Sequence, residues 1–122
     1  MSKINKFEDL EVYQLSLKLT KEIYQLANKL PSREKYNIVD QLIRASSSTG
    51  ANIAEGFGRD TRKEFIKYLY NSRGSLMEVR HFINLILELK YSNNKELENL
   101  YELCNTLGVK LNNLIKVLKL KQ

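Results

Sequence analysis

The sequence predicts an all-α fold, an antiparallel up-down-up-down four-helix bundle, and three observations carry that prediction. Apolar residues recur at three- and four-residue steps along four segments, the spacing of one helical face. No run of alternating β-branched residues marks a strand. Connections of only a few residues join the segments, which makes successive helices antiparallel neighbours. A length of 122 residues suits one core, so residues 1–122 are read as a single four-helix-bundle domain without repeat, linker or low-complexity segment.

The first helix is expected over about residues 10 to 30, with Val12, Leu15, Leu19, Ile23, Leu26 and Leu30 on one face and Pro31 as its stop. The second starts between Ser32 and Asn37 and runs to Gly56, carrying Ile38, Val39, Leu42, Ile43, Ala45, Ile53 and Ala54; Gly56 and Gly58 end it. Thr61 and Glu64 have the spacing of a capping box, which starts the third helix. Its face is Phe65, Leu69, Ser72, Leu76, Val79, Ile83 and Ile86. After the polar break Ser92-Asn-Asn-Lys, Asn93 and Glu96 cap the fourth helix. Leu97, Leu100, Cys104, Leu107, Leu111, Leu114 and Leu118 then alternate strictly by three and four, the seam of a coiled-coil-like bundle.

Residues 44–59, RASSSTGANIAEGFGR, are the chemically unusual stretch. Antiparallel helices joined by the short turn FGRD would set Ser46 to Ala51 opposite Ser72, Gly74 and Ser75. Small residues there let two axes approach more closely than the usual ~8 to 10 Å. Close packing is therefore the expected role of the stretch, ahead of a substrate site. Asn52 and Glu55 flank positions expected to be partly buried, and a carboxylate taken from water needs a cation or hydrogen bonds. Arg59, Arg73 and Arg80 are the candidate partners, with Glu55 holding the end of helix 2 and the turn.

The formal net charge is +6, which favours an acidic partner such as nucleic acid, an acidic protein or a lipid surface. The cations are unevenly placed. Arg59, Arg62, Lys63 and Lys67 cluster at the turn and start of helix 3, offset by Asp60 and Glu64. After Glu102 the chain has Lys110, Lys116, Lys119 and Lys121 and no acid. In an antiparallel bundle the start of helix 3 and the end of helix 4 share one pole, a candidate footprint for a polyanion. The plainer account is a solvated surface whose lysines complement a helix C-terminus. No RNA-recognition motif is visible, so binding there is expected to be weakly sequence-specific.

The strings QLIRASSS, NIAEGFGR, EFIKYLYNSRGSLMEV and FEDLEVYQ resemble the four-helix-bundle proteins encoded within intervening sequences of bacterial 23S ribosomal RNA genes. NIAEG and GSLMEV are the most specific part, and they single out Asn52, Glu55, Gly56, Gly74, Ser75 and Glu78 as a structural motif. Where this chain has Gly50, members of that family commonly have proline. The resemblance implies a left-handed bundle, a homopentamer around a central channel and a basic surface. It also links the fold to accessory proteins of diversity-generating retroelements, which bind nucleic acid and a reverse transcriptase.

Enzymatic alternatives are poorly supplied with residues. Glu78-Val-Arg-His81 has the Glu-x-x-His spacing of di-iron bundles, but those need two such motifs and the chain has one histidine. A mononuclear site from Glu55, Glu78 and His81 would have few ligands to close or tune it. Ser46 to Ser48 lack a nearby base, and Cys104 lies mid-helix without an activating group. GFGR lacks the strand and lysine of a P-loop. The expectation is a protein that is not an enzyme, with no cofactor and no metal site.

The single cysteine excludes an internal disulfide and suits a reducing compartment. No leader-like segment or membrane span is visible, so a cytoplasmic location is expected. Two functional classes follow: a basic oligomeric bundle that binds RNA, DNA or a nucleic-acid enzyme, and an adaptor whose partner is a protein. Tyr13, Tyr24, Tyr68 and Tyr70 are candidate anchors between subunits.

Overall fold

Apolar spacing becomes buried surface along four helices. The computed structural model describes residues 4–121. It contains α1 (Glu11–Ala27), α2 (Ile38–Phe57), α3 (Arg62–Glu88) and α4 (Asn94–Leu120), with 3-10 turns at Phe7–Asp9 and Ser32–Glu34 and no strand among the described residues. Each helix packs on the next and α4 closes back onto α1, forming a four-helix bundle in which α2 and α3 are the most intimate pair. Leu19, Ile23, Leu42, Ile53, Leu69, Leu76, Ile83, Leu97, Leu107 and Leu111 are sealed from solvent in its centre.

Helix ends follow local chemistry. α1 stops at Ala27, three residues before the expected end, and the chain tightens through Lys29 N–H to Leu26 C=O (3.0 Å) and Leu30 N–H to Ala27 C=O (3.2 Å). Pro31 disfavours helical geometry at Leu30, yet Leu30 stays buried against the core. Thr61 Oγ1 accepts the Glu64 N–H at 3.1 Å, and Asn93 Oδ1 accepts the Glu96 N–H at 2.9 Å, so both N-caps form, the expected box at Thr61 by its hydroxyl half only. α3 closes in a Schellman arrangement: Tyr91 N–H reaches Ile86 C=O (3.1 Å) and Lys90 N–H reaches Leu87 C=O (3.0 Å). Lys90 takes the left-handed conformation there, at φ 62°.

That turn delivers Tyr91 to a polar clamp across one end of the bundle. Tyr91 Oη donates to the buried Glu34 carboxylate at 2.7 Å, and Asn37 Nδ2 donates to its other oxygen at 3.2 Å. The carboxylate is thus hydrogen-bonded rather than orphaned. The clamp ties the α1–α2 connection to the α3–α4 connection.

On α4 the expected seam holds through Leu111 and then drifts. Ile115 is buried, whereas Leu114 and Leu118 are only partly covered. A straight helix rotates away from a 3.5-residue repeat, so the buried line moves off a strict heptad after several turns. Cys104 sits on this line, and burial pushes its thiol up to about 11, against a smaller opposing pull from Arg80. At pH 8 its alkylation is expected to be at least about 100-fold slower in the folded chain than in urea, because thiolate falls tenfold per pKa unit and the reagent has no path in. Equal rates in the two states would place Cys104 at the surface.

Candidate nucleic-acid interface

The α2–α3 contact sets the geometry of the lower half of the bundle, the end carrying the α2–α3 turn. Ser46, Thr49 and Ser72 are fully buried hydroxyls, a costly arrangement unless each proton finds an acceptor. Ser46 Oγ donates to Ile43 C=O (3.0 Å) and Thr49 Oγ1 to Ser46 C=O (2.7 Å). Ser72 Oγ crosses from α3 to Thr49 C=O on α2 at 2.8 Å, and Thr20 Oγ1 crosses from α1 to Ser46 C=O at 3.0 Å. The hydroxyl-rich stretch therefore binds helices to one another. Its buried hydroxyls are all engaged, and Ser47 alone of the run Ser46 to Thr49 is exposed.

Below this layer, Gly56 meets α3 directly: a Cβ there would lie 2.5 Å from Tyr68 Cβ and 3.3 Å from the Phe65 carbonyl oxygen. The chain then turns through Gly58 and Asp60 into α3. Two polar links show which residues of α4 lie beside α3. Arg62 Nη1 donates to the Lys121 carbonyl at 2.6 Å, and Arg73 Nη1 donates to Asn112 Oδ1 at 3.0 Å. The start of α3 and the end of α4 accordingly share one pole, which brings Arg62, Lys63 and Lys67 together with Lys116, Lys119 and Lys121.

Two tyrosines are set among these cations. The Arg59 guanidinium lies 4.9 Å from the Tyr68 ring centroid and donates to its hydroxyl at 2.6 Å. Charge coupling to Tyr68 raises the Arg59 pKa above its ordinary value, with a smaller contribution from Glu55. The Tyr70 ring is flanked by Arg73, 4.6 Å from its centroid, and by Lys119 Nζ at 5.0 Å. A groove of ≈ 630 Å³ runs along the first turns of α3, with Lys63, Lys67, Ile66 and Tyr70 among its walls. Cations interleaved with aromatic rings suit phosphates and bases together.

A family model described as 23S rRNA-intervening sequence protein matches residues 8–113. The chain belongs to this family. Among solved structures, the chain is similar to a crystal structure described as a protein with unknown function from the S23 ribosomal protein family of Bacteroides thetaiotaomicron. The TM-score is 0.80 at 24% identity, covering 86% of this chain and 98% of the other. That likeness supports the fold alone. No curated protein matches the sequence.

Within the bundle, the six motif residues separate into different roles. Gly56 is the close-contact position, whereas Gly74, expected at the same junction, is exposed and a Cβ on it would meet nothing within 4 Å. Three residues after Gly74 in the α3 sequence, Met77 is exposed too: the outward line of α3 at this height carries both. Gly50 faces Ser16 and Tyr13 of α1 instead of α3. Ser75 Oγ reaches Ser48 Oγ at 3.1 Å, and Asn52 Nδ2 donates to the Ser48 carbonyl and hydroxyl, both at 2.9 Å.

Glu55 pairs with Arg59 at 3.0 Å as expected, but both side chains are about half exposed, so the carboxylate is not taken from water. Glu78 is exposed and beside Ser48, Ser75 and Arg44, with no salt bridge among the described residues. His81 is exposed and rests edge-on against Phe82. No three His, Cys, Asp or Glu side chains among the described residues converge to hold a metal. Lys110 stands apart from the other cations, with Nζ 3.3 Å from Glu11 of α1. Periodicity had no means to reveal the Tyr70 bracket, since Tyr70, Arg73 and Lys119 meet only through the α3–α4 packing.

Proposed function

We propose that the chain is a non-enzymatic, basic helical-bundle protein of the cytoplasm that binds nucleic acid, RNA or DNA, with little sequence preference, directly or together with a nucleic-acid enzyme such as a reverse transcriptase. The basic pole is the binding surface. The observation that carries this is the Arg62–Lys121 link, which joins two stretches of lysine and arginine 59 residues apart in sequence into one surface. No helix among the described residues is long and apolar enough to cross a membrane. A homo-oligomer, a pentamer by resemblance, would repeat the pole around an axis and multiply modest affinity. A protein partner is the second candidate, favoured by exposed Met77, Val109 and Val117 on α3 and α4.

Titration of labelled mixed-sequence RNA at several salt concentrations tests the proposal. Affinity is expected to fall with salt along a log–log slope of about −3 to −5, the value for roughly five to seven neutralised phosphates. Absence of binding at low salt, or affinity indifferent to salt, overturns it.

A further inference from the structure

We infer that the α1–α2 face is a contact between two copies of this chain, related by a two-fold axis parallel to the helices; the inference goes beyond the nucleic-acid reading and does not depend on it. A recess of ≈ 290 Å³ lies between the two helices on this face, with Phe7, Tyr13, Leu17, Ser47, Gly50 and Ala51 among its walls. No charged side chain lines it; Lys18 and Lys21 of α1 lie outside. Leu17 stands 53% exposed at its edge, and Tyr24, two turns further along the same side of α1, is 50% exposed. The chain carries 20 lysines and arginines and 14 acids, so a charge-free apolar patch around a recess has the composition of an interface centre rather than of ordinary surface.

Charge and register together name the occupant. Two copies at +6 each repel, so they meet most easily where the centre of contact holds no like charges. Other exposed apolar side chains fail that condition: Val109, Val117 and Leu120 are set among Lys110, Lys116, Lys119 and Lys121 on α4, and Met77 adjoins Glu78. A polyanion finds no cation in the α1–α2 recess. Register supplies the second argument. Gly50 lies against Ser16 and Tyr13, and Thr20 Oγ1 donates to the Ser46 carbonyl, so Leu17 is level with Ser47 to Gly50 on α2. Rotation by 180° about an axis parallel to the helices exchanges the α1 and α2 sides without changing height. Leu17 of each copy is then carried onto the other's recess beside Gly50 and Ala51, and Tyr24 toward the half-buried Ile43. One patch serves both copies, as an isologous contact requires. The two basic poles face the same end.

Sedimentation equilibrium of the full-length protein, with no nucleic acid present, tests the contact. Wild-type protein is expected at twice the 14.3 kDa chain mass or a higher even multiple. Ala51→Glu is expected to halve that mass, because association would bury an unpaired carboxylate in each recess. Ala51 is exposed in the single chain, so the variant keeps its helices, which circular dichroism checks. Crosslinking gives a second readout. Leu17→Cys and Ala51→Cys proteins are prepared separately, mixed and oxidised in native buffer, and a disulfide joining position 17 of one chain to position 51 of the other is expected. Cys104 is buried and does not compete. A wild-type mass of one chain, an odd number of chains (a pentamer included), a mass unchanged by Ala51→Glu, or no mixed disulfide overturns the inference and leaves the basic pole standing. A single chain that gains mass only when a different protein is added overturns it as well, by giving the face another occupant.

Discussion

Replacing Arg62, Lys63, Lys116 and Lys119 by glutamate is expected to weaken the proposed polynucleotide binding by on the order of 100- to 1000-fold near 0.1 M salt. Each phosphate neutralised by a lysine or arginine releases about 0.7 counterions from a single strand and about 0.9 from a duplex. Removing four such contacts therefore flattens the log–log salt slope by about three. The loss grows as salt is lowered, since screening no longer hides the reversed charges.

The control is a variant with the same change in net charge at Lys18, Lys21, Lys29 and Lys95, all exposed and away from the pole. Affinity and slope are expected to stay within about twofold of wild type, because exposed charges more than a Debye length away are screened. Equal losses in the two variants would mean that overall charge, not the pole, governs binding. The fold should tolerate the reversal. Arg62 loses one exposed hydrogen bond to the Lys121 carbonyl, a surface change of about 0.5 kcal/mol or less.

Gly56→Ala is the second large effect, a destabilisation of about 2 kcal/mol. The new methyl would sit 2.5 Å from Tyr68 Cβ, 3.1 Å from Phe65 Cδ1 and 3.3 Å from the Phe65 carbonyl oxygen. Neither the carbonyl nor a Cβ can swing aside by changing rotamer, so α2 and α3 must separate. Separation stretches the Ser72–Thr49 and Ser75–Ser48 hydrogen bonds that cross the same contact. Alanine's better helix propensity returns only about 1 kcal/mol.

Gly74→Ala has the opposite sign. Its methyl meets open space, so only the propensity gain remains, a stabilisation of about 0.5–1 kcal/mol. Gly50→Ala falls between the two, because its nearest obstacle is Ser16 Oγ at 2.8 Å, the end of a short side chain that can rotate. Urea denaturation of the three variants checks the order. A Gly56→Ala protein as stable as Gly74→Ala would show that the helices do not touch there.

These three glycines mark where sequence reading reaches its limit. GANIAEG and RGSLM are equally rich in small residues, and sequence proximity treats Gly50, Gly56 and Gly74 alike. Only the rotation of each helix about its own axis distinguishes them, and that rotation is chosen by the whole packed core. The same limit applies to Glu55. Arg59 was one of three candidate partners, and the structure selects it at i,i+4 spacing, yet the exposure of Glu55 depends on which side of α2 faces water. The nearness of the start of α3 to the end of α4 was legible for a different reason: short connections favour antiparallel neighbours, and the Arg62–Lys121 hydrogen bond joins those two ends.

By itself the sequence determined the four helices, their caps at Thr61 and Asn93, and most of the apolar line from Val12 to Leu111, because local backbone chemistry and helical periodicity act over a few residues. Tertiary structure alone decided that Gly56 rather than Gly74 touches the neighbouring helix, that Tyr70 stands between Arg73 and Lys119, and that Glu34 is clamped by Tyr91. The reason is physical. Each of these relations joins side chains on different helices, and a rotation of one helix by a single residue, roughly 100°, would dissolve every one of them without altering any local preference.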